Sequence, residues 1–188
     1  LVRCEKETGV TLHYMVEKPD AGDIVAQREV AIDFEDTAFT LFQKVTAAAR
    51  ELLREMLPLL RAGTAPRRPQ DLSQGNYCRG RKPSDGQIDW SKDALSIYNL
   101  IRAVTHPYPG AFTFAGSRRL FVWQAHPVDG VAAEAEPGQV VRRDLEGRAA
   151  IVRTGAGLLR LEHVQFEGGP ETAGSVLEAG VRLAGGPA

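Results

Sequence analysis

Residues that favour extended backbone are concentrated in two short runs near the start of the chain, at residues 10–16 and 24–32. Residues 18–22 between them read Lys-Pro-Asp-Ala-Gly. In such a segment Pro presets φ, Asp can bond its own backbone and Gly tolerates a positive φ. The pattern predicts two strands joined by a tight loop.

A helical repeat of apolar residues follows the second run. Asp36 and Thr37 offer side-chain oxygens for an N-cap, and Gly63 suits a helix stop. The apolar residues recur at helical spacing and are Ala38, Leu41, Phe42, Val45, Ala49, Leu52, Leu53, Met56, Leu57 and Leu60. The pattern predicts a long amphipathic helix over about 36–62, with Pro58 as a candidate kink. We expect its apolar stripe to cover a sheet supplied largely by sequence outside this chain.

Residues 64–110 are predicted to be a connector that contains one helix. Prolines and polar residues without periodicity occupy 64–86. Ser91 is the predicted N-cap of a helix that must stop at His106 and Pro107, because proline forbids its continuation. Its apolar positions are Leu95, Tyr98, Ile101 and Val104.

Short β-prone segments separated by glycines fill the chain after Gly110, which predicts a small β-barrel over 111–168. The predicted strands are 111–114, 120–124, 139–142, 149–153 and 158–166. The glycine-rich residues 169–188 are predicted to form a flexible tail.

Composition narrows the class of protein. The chain has 188 residues, 43% hydrophobic and 25% charged, with a formal net charge of -1. This indicates a globular protein without an overall attraction to nucleic acid or anionic lipid. The two cysteines lack metal-ligand or redox spacing, and no apolar run is long enough for a membrane helix. We expect a cytoplasmic protein without membrane contact, whose sequence here begins partway through a longer chain.

Several motifs resemble a known family. Residues 7–15 (ETGVTLHYM) and 18–27 (KPDAGDIVAQ) are similar to the signature region of the folate-dependent formyltransferases. The resemblance continues, in the family's order and spacing, to about Glu167. Its later motifs are Arg-Lys-Pro at 81–83, Asp-Gly at 85–86, Ile-Asp-Trp-Ser at 88–91, Ile-Arg-Ala-Val at 101–104 and Pro-Tyr-Pro-Gly-Ala-Phe at 107–112.

The resemblance implies a fold, an activity and a co-substrate. The fold is α/β, in which residues 1–63 are the C-terminal part of a Rossmann-like formyltransferase domain and the barrel is a small OB-like subdomain. The activity is that of a formyltransferase, an enzyme that uses 10-formyltetrahydrofolate as co-substrate and needs no metal.

The resemblance also implies a site built from an Asn-x-His segment and a later Asp beside that His. Only the Asp is present, as Asp20. An adjacent carboxylate stabilises an imidazolium and fixes its orientation. Backbone of the loop formed by Val16, Glu17, Lys18, Pro19 and Asp20 is implied to contact the folate. The Asn-x-His segment is expected before Leu1, so the isolated chain is expected to be inactive.

Other interpretations of these residues stay open. Local sequence alone favours Asp20 as a turn residue, and only the resemblance reverses that preference. Asp23 is assigned a structural role, and His13 is expected to serve packing or hydrogen bonding rather than catalysis. Trp90 and Trp123 are expected to be packing residues rather than ligand contacts.

The acceptor is a choice between branches of the family. Arg79, Arg81 and Lys82 could hold a diphosphate, although a solvated connector explains them as well. From 112 to 188 there are eight Arg and no Lys against nine Asp plus Glu. A domain that grips tRNA needs a strongly positive face, which this composition does not supply.

We therefore expect a small-molecule acceptor, a nucleotide-linked amino sugar of the UDP-4-amino-4-deoxy-L-arabinose type. Such an acceptor would link the protein to lipid A and lipopolysaccharide biosynthesis and to antibiotic resistance. A methionyl-tRNA formyltransferase is the alternative, and a non-catalytic homologue is the second. A fused or partner domain outside this chain also stays open.

Overall fold

The chain folds into two compact units. The computed structural model describes residues 1–130 and 134–186. One unit comprises residues 5–80, and the other comprises residues 1–4 together with the chain from Arg81 onward. The boundary between the two units falls inside the predicted connector 64–110.

The first unit is a β-hairpin covered by a long helix. Strand β1, Glu7–His13, pairs antiparallel with β2, Ile24–Ala31, and the register is shifted at the end of β1, between Leu12 and His13. Helix α1, Ala38–Ala62, packs on both strands. The predicted order of strand, strand and long helix is confirmed, whereas the finer Rossmann-like assignment remains a prediction.

Local chemistry defines both ends of α1. The Thr37 hydroxyl accepts from the Thr40 N–H and the Thr40 hydroxyl accepts from the Thr37 N–H, which forms a reciprocal capping box. Gly63 ends the helix in the left-handed conformation, with φ of 69°. The helix passes through Pro58 and continues to Ala62.

Helix α1 has two different apolar surfaces. Leu52 is 4% exposed. Other large apolar side chains, by contrast, are between 40% and 59% exposed: Phe39, Phe42, Leu53 and Leu57. The amphipathic pattern is therefore satisfied by the hairpin only in part.

In the described part of the second unit, seven strands form an antiparallel sheet that curls on itself. The strands are β3 Ala111–Ala115, β4 Arg118–Val128, β5 Val140–Asp144, β6 Ala149–Arg153, β7 Leu158–Phe166, β8 Glu171–Ala173 and β9 Leu183–Ala184. Their order in the sheet is β5-β6-β7-β4-β3-β9, with β8 paired to β7. A bridge between Gln139 and Arg182 brings the β5 and β9 ends of the sheet together, which gives a barrel-like shape. All five predicted strands are confirmed, and the OB-like assignment remains a prediction.

Helix α2, Ala94–Val104, packs on this sheet instead of lying in a connector. Its Ile97, Tyr98 and Ile101 share one buried core with residues of the strands. The sequence had indicated Ser91 as the N-cap of this helix, and that prediction is wrong. Asp93 is the cap and accepts from the Ser96 N–H at 2.9 Å, while the Ser91 amide and hydroxyl donate to Asp89.

The predicted flexible tail contains ordered structure. Strand β8 extends the sheet beside β7, and β9 pairs with β3. Leu177 and Leu183 are buried in the core. Two apolar anchors and backbone pairing therefore hold a glycine-rich segment whose composition alone indicated fraying. Residues 187–188 of that prediction lie outside the described residues.

Within residues 1–130 and 134–186, no helix combines the length and the apolar composition that crossing a bilayer requires.

Candidate functional site

The candidate site is the loop that joins β1 to β2. The Tyr14 N–H donates to the Asp23 carbonyl at 2.9 Å and closes the loop. A Cβ at Gly22 would lie 1.7 Å from the Tyr14 carbonyl oxygen, so only glycine fits this crossing point. A backbone contact thus closes the loop at its base, and the loop is longer than predicted because β1 ends at His13.

Asp20 lies at the tip of this loop. Its φ is 56°, in the left-handed region that Asp tolerates better than most residues. Its side chain is 77% exposed, so the carboxylate is available to a ligand. Holding a non-glycine residue in this region requires support from its surroundings.

His13 faces Asp20 from the end of β1. Its Nδ1 lies 2.9 Å from the Tyr14 carbonyl oxygen, and because a carbonyl only accepts, Nδ1 carries the proton. Its Nε2 lies 3.9 Å from Asp20 Oδ1, which is too long for a hydrogen bond. The contact to Tyr14 agrees with the expected hydrogen-bonding role of His13, while the approach to Asp20 was not expected.

Residues 67–70, which belong to the predicted connector, lie beside the loop. Arg68 pairs with Ile24 through backbone hydrogen bonds of 2.8 Å and 3.0 Å. The side-chain amide of Gln70 donates to the carbonyls of Asp20 and Gly22. Sequence reasoning missed Gln70, because its partners are 48 and 50 residues away and no motif marks the contact.

One cavity, of about 590 Å³, lies in the second unit, and a second, of about 570 Å³, lies beside this loop. Lys18, Asp20, Gln70 and Tyr77 are among the residues that line the second cavity. Tyr77 is 72% exposed. A carboxylate, an ammonium, an amide and a phenol around one space suit a polar ligand with hydrogen-bonding groups.

The other residues predicted to contact folate lie on the same loop. Val16, Glu17, Lys18 and Pro19 are all exposed. Their exposure is compatible with the implied backbone contact, and their role stays a prediction.

The residues predicted to bind a diphosphate make local hydrogen bonds. Arg79 belongs to the first unit and donates to the Gly80 carbonyl. Arg81 and Lys82 belong to the second, where the Arg81 guanidinium donates to the Asp85 carbonyl and the Lys82 N–H to the Asp85 carboxylate. Their function in binding remains a prediction.

Two further basic residues of the predicted connector, Arg67 and Arg68, make contacts with the loop and with β2. Arg67 lies 4.0 Å over the Tyr14 ring and 3.4 Å from the Asp23 carboxylate, and Arg68 donates to Gln27. These arginines therefore anchor the loop. In the described part of the chain, no group of three or more His, Cys, Asp or Glu residues is arranged to hold a metal ion.

Comparison with sequence families gives two matches. Residues 1–57 match the family described as "Formyl transferase", and residues 81–182 match "Formyl transferase, C-terminal domain". The second match alone covers more than half of the chain.

Solved structures with the same fold include HypX from Aquifex aeolicus in complex with tetrahydrofolic acid, at 22% identity and a TM-score of 0.69. That alignment covers 93% of this chain and 30% of HypX. A methionyl-tRNA formyltransferase from Clostridium thermocellum is 26% identical with a TM-score of 0.55, over 69% of this chain and 55% of that one.

An N-formyltransferase from Helicobacter canadensis, in complex with folinic acid and dTDP-3-aminofucose, is 17% identical with a TM-score of 0.63. The alignment covers 85% of this chain and 57% of that protein. The chain thus spans about a third to somewhat over half of the length of these proteins. On the two family matches and the shared fold, the chain belongs to the formyl transferase family.

Proposed function

We propose that this chain is part of an enzyme that transfers the formyl group of 10-formyltetrahydrofolate to the primary amine of a nucleotide-linked amino sugar, of the UDP-4-amino-4-deoxy-L-arabinose type. The members of the family are enzymes of formyl transfer. The observation that carries the proposal for this chain is the presentation of Asp20, exposed on a loop whose base and flank are both fixed.

Asp20 would assist the proton transfer that accompanies the reaction. Transfer forms a bond between the acceptor nitrogen and the formyl carbon and breaks the bond between that carbon and the folate nitrogen. The acceptor amine loses a proton, and the departing folate nitrogen gains one. A carboxylate beside a histidine favours its protonated form and orients the ring. The family resemblance implies that this histidine comes from an Asn-x-His segment, which the 188 residues do not contain.

The charges of the second unit support a sugar rather than tRNA as acceptor. Three of its arginines pair with carboxylates: Arg119 with Glu167 at 2.8 Å, Arg160 with Glu162 at 2.7 Å, and Arg182 with Glu136 at 2.6 Å. An arginine that is already paired contributes less to a field that attracts phosphates. A small acceptor needs only a local site, which the cavity beside Asp20 could supply.

The test is formyl transfer by the full-length protein, with 10-formyltetrahydrofolate as donor and the amino sugar nucleotide and methionyl-tRNA as competing acceptors. Asp20→Asn keeps the size of the side chain and removes its charge. We expect formylation of the sugar and a loss of kcat on the order of 10²-fold or more in the variant. Asp129→Asn, which changes an exposed loop carboxylate of the second unit, should leave kcat unchanged.

Each other outcome selects a different interpretation. Formylation of tRNA alone would refute the charge argument and retain the family activity. Transfer that is insensitive to Asp20→Asn would refute the role of Asp20. Transfer to neither acceptor would favour another amino sugar or the non-catalytic homologue.

A further inference from the structure

The segment at residues 67–70 is attached to both arms of the Asp20 loop. The Ile24 and Arg68 backbones exchange two hydrogen bonds at the start of β2. Arg67 contacts Tyr14 on the arm that leaves β1 and Asp23 on the arm that enters β2. The segment is therefore held at a fixed distance from the tip of the loop.

Gln70 uses this position to reach the tip. Its Nε2 lies 3.1 Å from the Asp20 carbonyl oxygen and 2.5 Å from the Gly22 carbonyl oxygen. A primary amide carries two N–H donors, so one Gln70 side chain can serve both carbonyls. The two carbonyls come from residues on either side of Ala21, so the contact ties the peptide units that follow Asp20 and Gly22 to one point.

The backbone decides where the Asp20 carboxylate points. Its approach to His13, at 3.9 Å, is too long for a hydrogen bond that would fix the side chain directly. The left-handed conformation of Asp20 is also one that a non-glycine residue leaves readily unless contacts hold it. Loss of the Gln70 contacts would thus redirect the carboxylate without removing it.

We propose that Gln70 is a positioning residue, which holds Asp20 in its left-handed conformation by donating to the Asp20 and Gly22 carbonyls. The proposal rests on the proposed function for its catalytic consequence. The structural part, restraint of the loop by Gln70, stands independently of which reaction Asp20 serves.

The sharpest change is Gln70→Glu, because a carboxylate has the shape of the amide but no donor, and it would face two carbonyl oxygens. Gln70→Ala removes the side chain without adding charge. Gln43→Glu is the matched control, since Gln43 is an exposed residue of α1 in the same unit and undergoes the same chemical change.

The first readout is structural and uses amide hydrogen exchange of the full-length protein. We expect exchange at Tyr14 and Arg68, whose N–H groups donate to Asp23 and Ile24 at the base of the loop, to accelerate on the order of 10-fold in both Gln70 variants, with β1 and β2 and the far-ultraviolet circular dichroism unchanged. Unchanged exchange at the loop would overturn the proposal whatever the activity does. Accelerated exchange throughout the first unit would also overturn it, because Gln70 would then be a general stability residue.

The second readout is kinetic. In formyl transfer, both Gln70 variants should lower kcat about 10- to 10²-fold and change KM for the acceptor less than about 3-fold, because misplacement affects the transition state more than binding. Combining Gln70→Glu with Asp20→Asn should cost no more than Asp20→Asn alone, since a missing charge cannot be misplaced. Multiplicative losses would overturn the proposal.

The two readouts separate this proposal from the proposed function. If the loop is loosened but Asp20→Asn leaves formyl transfer intact, the catalytic assignment of Asp20 fails and the restraint by Gln70 stands. If Asp20→Asn abolishes transfer and Gln70→Glu neither loosens the loop nor lowers kcat, the proposed function stands and Gln70 is not its positioning residue.

Discussion

Single residues fix the geometry of the first unit, and Asp36 shows how. It is buried just before α1, where Oδ2 accepts from the Asp33 N–H at 2.7 Å and from the Lys44 ammonium at 2.5 Å. Its Oδ1 accepts from the Thr40 hydroxyl. Burial raises the pKa of Asp36 and is the largest single influence, but the bonds from Lys44, Asp33 and Thr40 together outweigh it and lower the pKa below its ordinary value.

Asp36→Asn should therefore lower the free energy of unfolding at pH 7 by about 1–3 kcal/mol, because the donors lose a charged acceptor. The pKa is lower in the folded than in the unfolded state, so the stabilisation is complete above an unfolded value of about 3.9 and is lost as pH falls through the folded pKa. The difference in free energy of unfolding between the unchanged protein and Asp36→Asn, measured by urea unfolding at pH 7, 5 and 3, should become smaller only at pH 3.

The control for this prediction is Asp33→Asn. Asp33 also contacts Lys44 but its side chain is exposed, so the change should cost about 0–1 kcal/mol. If the loss of free energy of unfolding caused by Asp36→Asn stays constant or increases on acidification, the lowered pKa of Asp36 is contradicted.

At the scale of elements, α1 has more apolar surface than the hairpin covers. Its periodicity predicted the helix well, since Thr37 and Gly63 end it within two residues of the predicted limits. The exposed apolar side chains of α1 nevertheless form an area that soluble proteins usually bury against a partner.

The 188-residue chain should accordingly bind a hydrophobic dye such as ANS and self-associate as its concentration rises. Phe42→Lys combined with Leu53→Glu should reduce both effects while helix content, measured by circular dichroism, stays constant. Leu52→Ala is the contrasting change, because this residue is buried and its truncation should cost about 2–5 kcal/mol. Dye binding that survives the double substitution would show that another surface is responsible.

At the scale of the whole molecule, the second unit contains a complete core of its own. Residues of α2, the barrel strands and the tail share it, and Trp90 is held inside by a 2.9 Å hydrogen bond from its Nε1 to the Thr113 hydroxyl. Burial of this many apolar side chains in about 100 residues is sufficient for an independently stable domain.

We expect residues 81–188, produced alone, to fold cooperatively with a near-ultraviolet circular dichroism signal from Trp90 and Trp123. Leu161→Ala, at a fully buried position of β7, should destabilise this fragment by about 2–5 kcal/mol. Arg143→Ala, on the exposed side of β5, is the control and should have little effect. A fragment that lacks the near-ultraviolet signal would show that its core depends on residues before 81.

Local order along the chain was predictable from the sequence. The limits of β6 and β7 match the predicted segments, and the hairpin and both helices lie where periodicity placed them. These features depend on intervals of two to four residues and on glycine or proline nearby, so a short stretch of sequence contains the whole cause. The resemblance, not the local pattern, singled out Asp20.

Tertiary structure decided the contacts between distant segments. It assigned α2 to the barrel, gave the tail two strands, and placed Gln70 on the Asp20 loop. Each result depends on pairing of backbone or side chains that are tens of residues apart, which no local period encodes. The sequence alone thus determined the elements and the candidate carboxylate, and only the fold determined what holds that carboxylate in place.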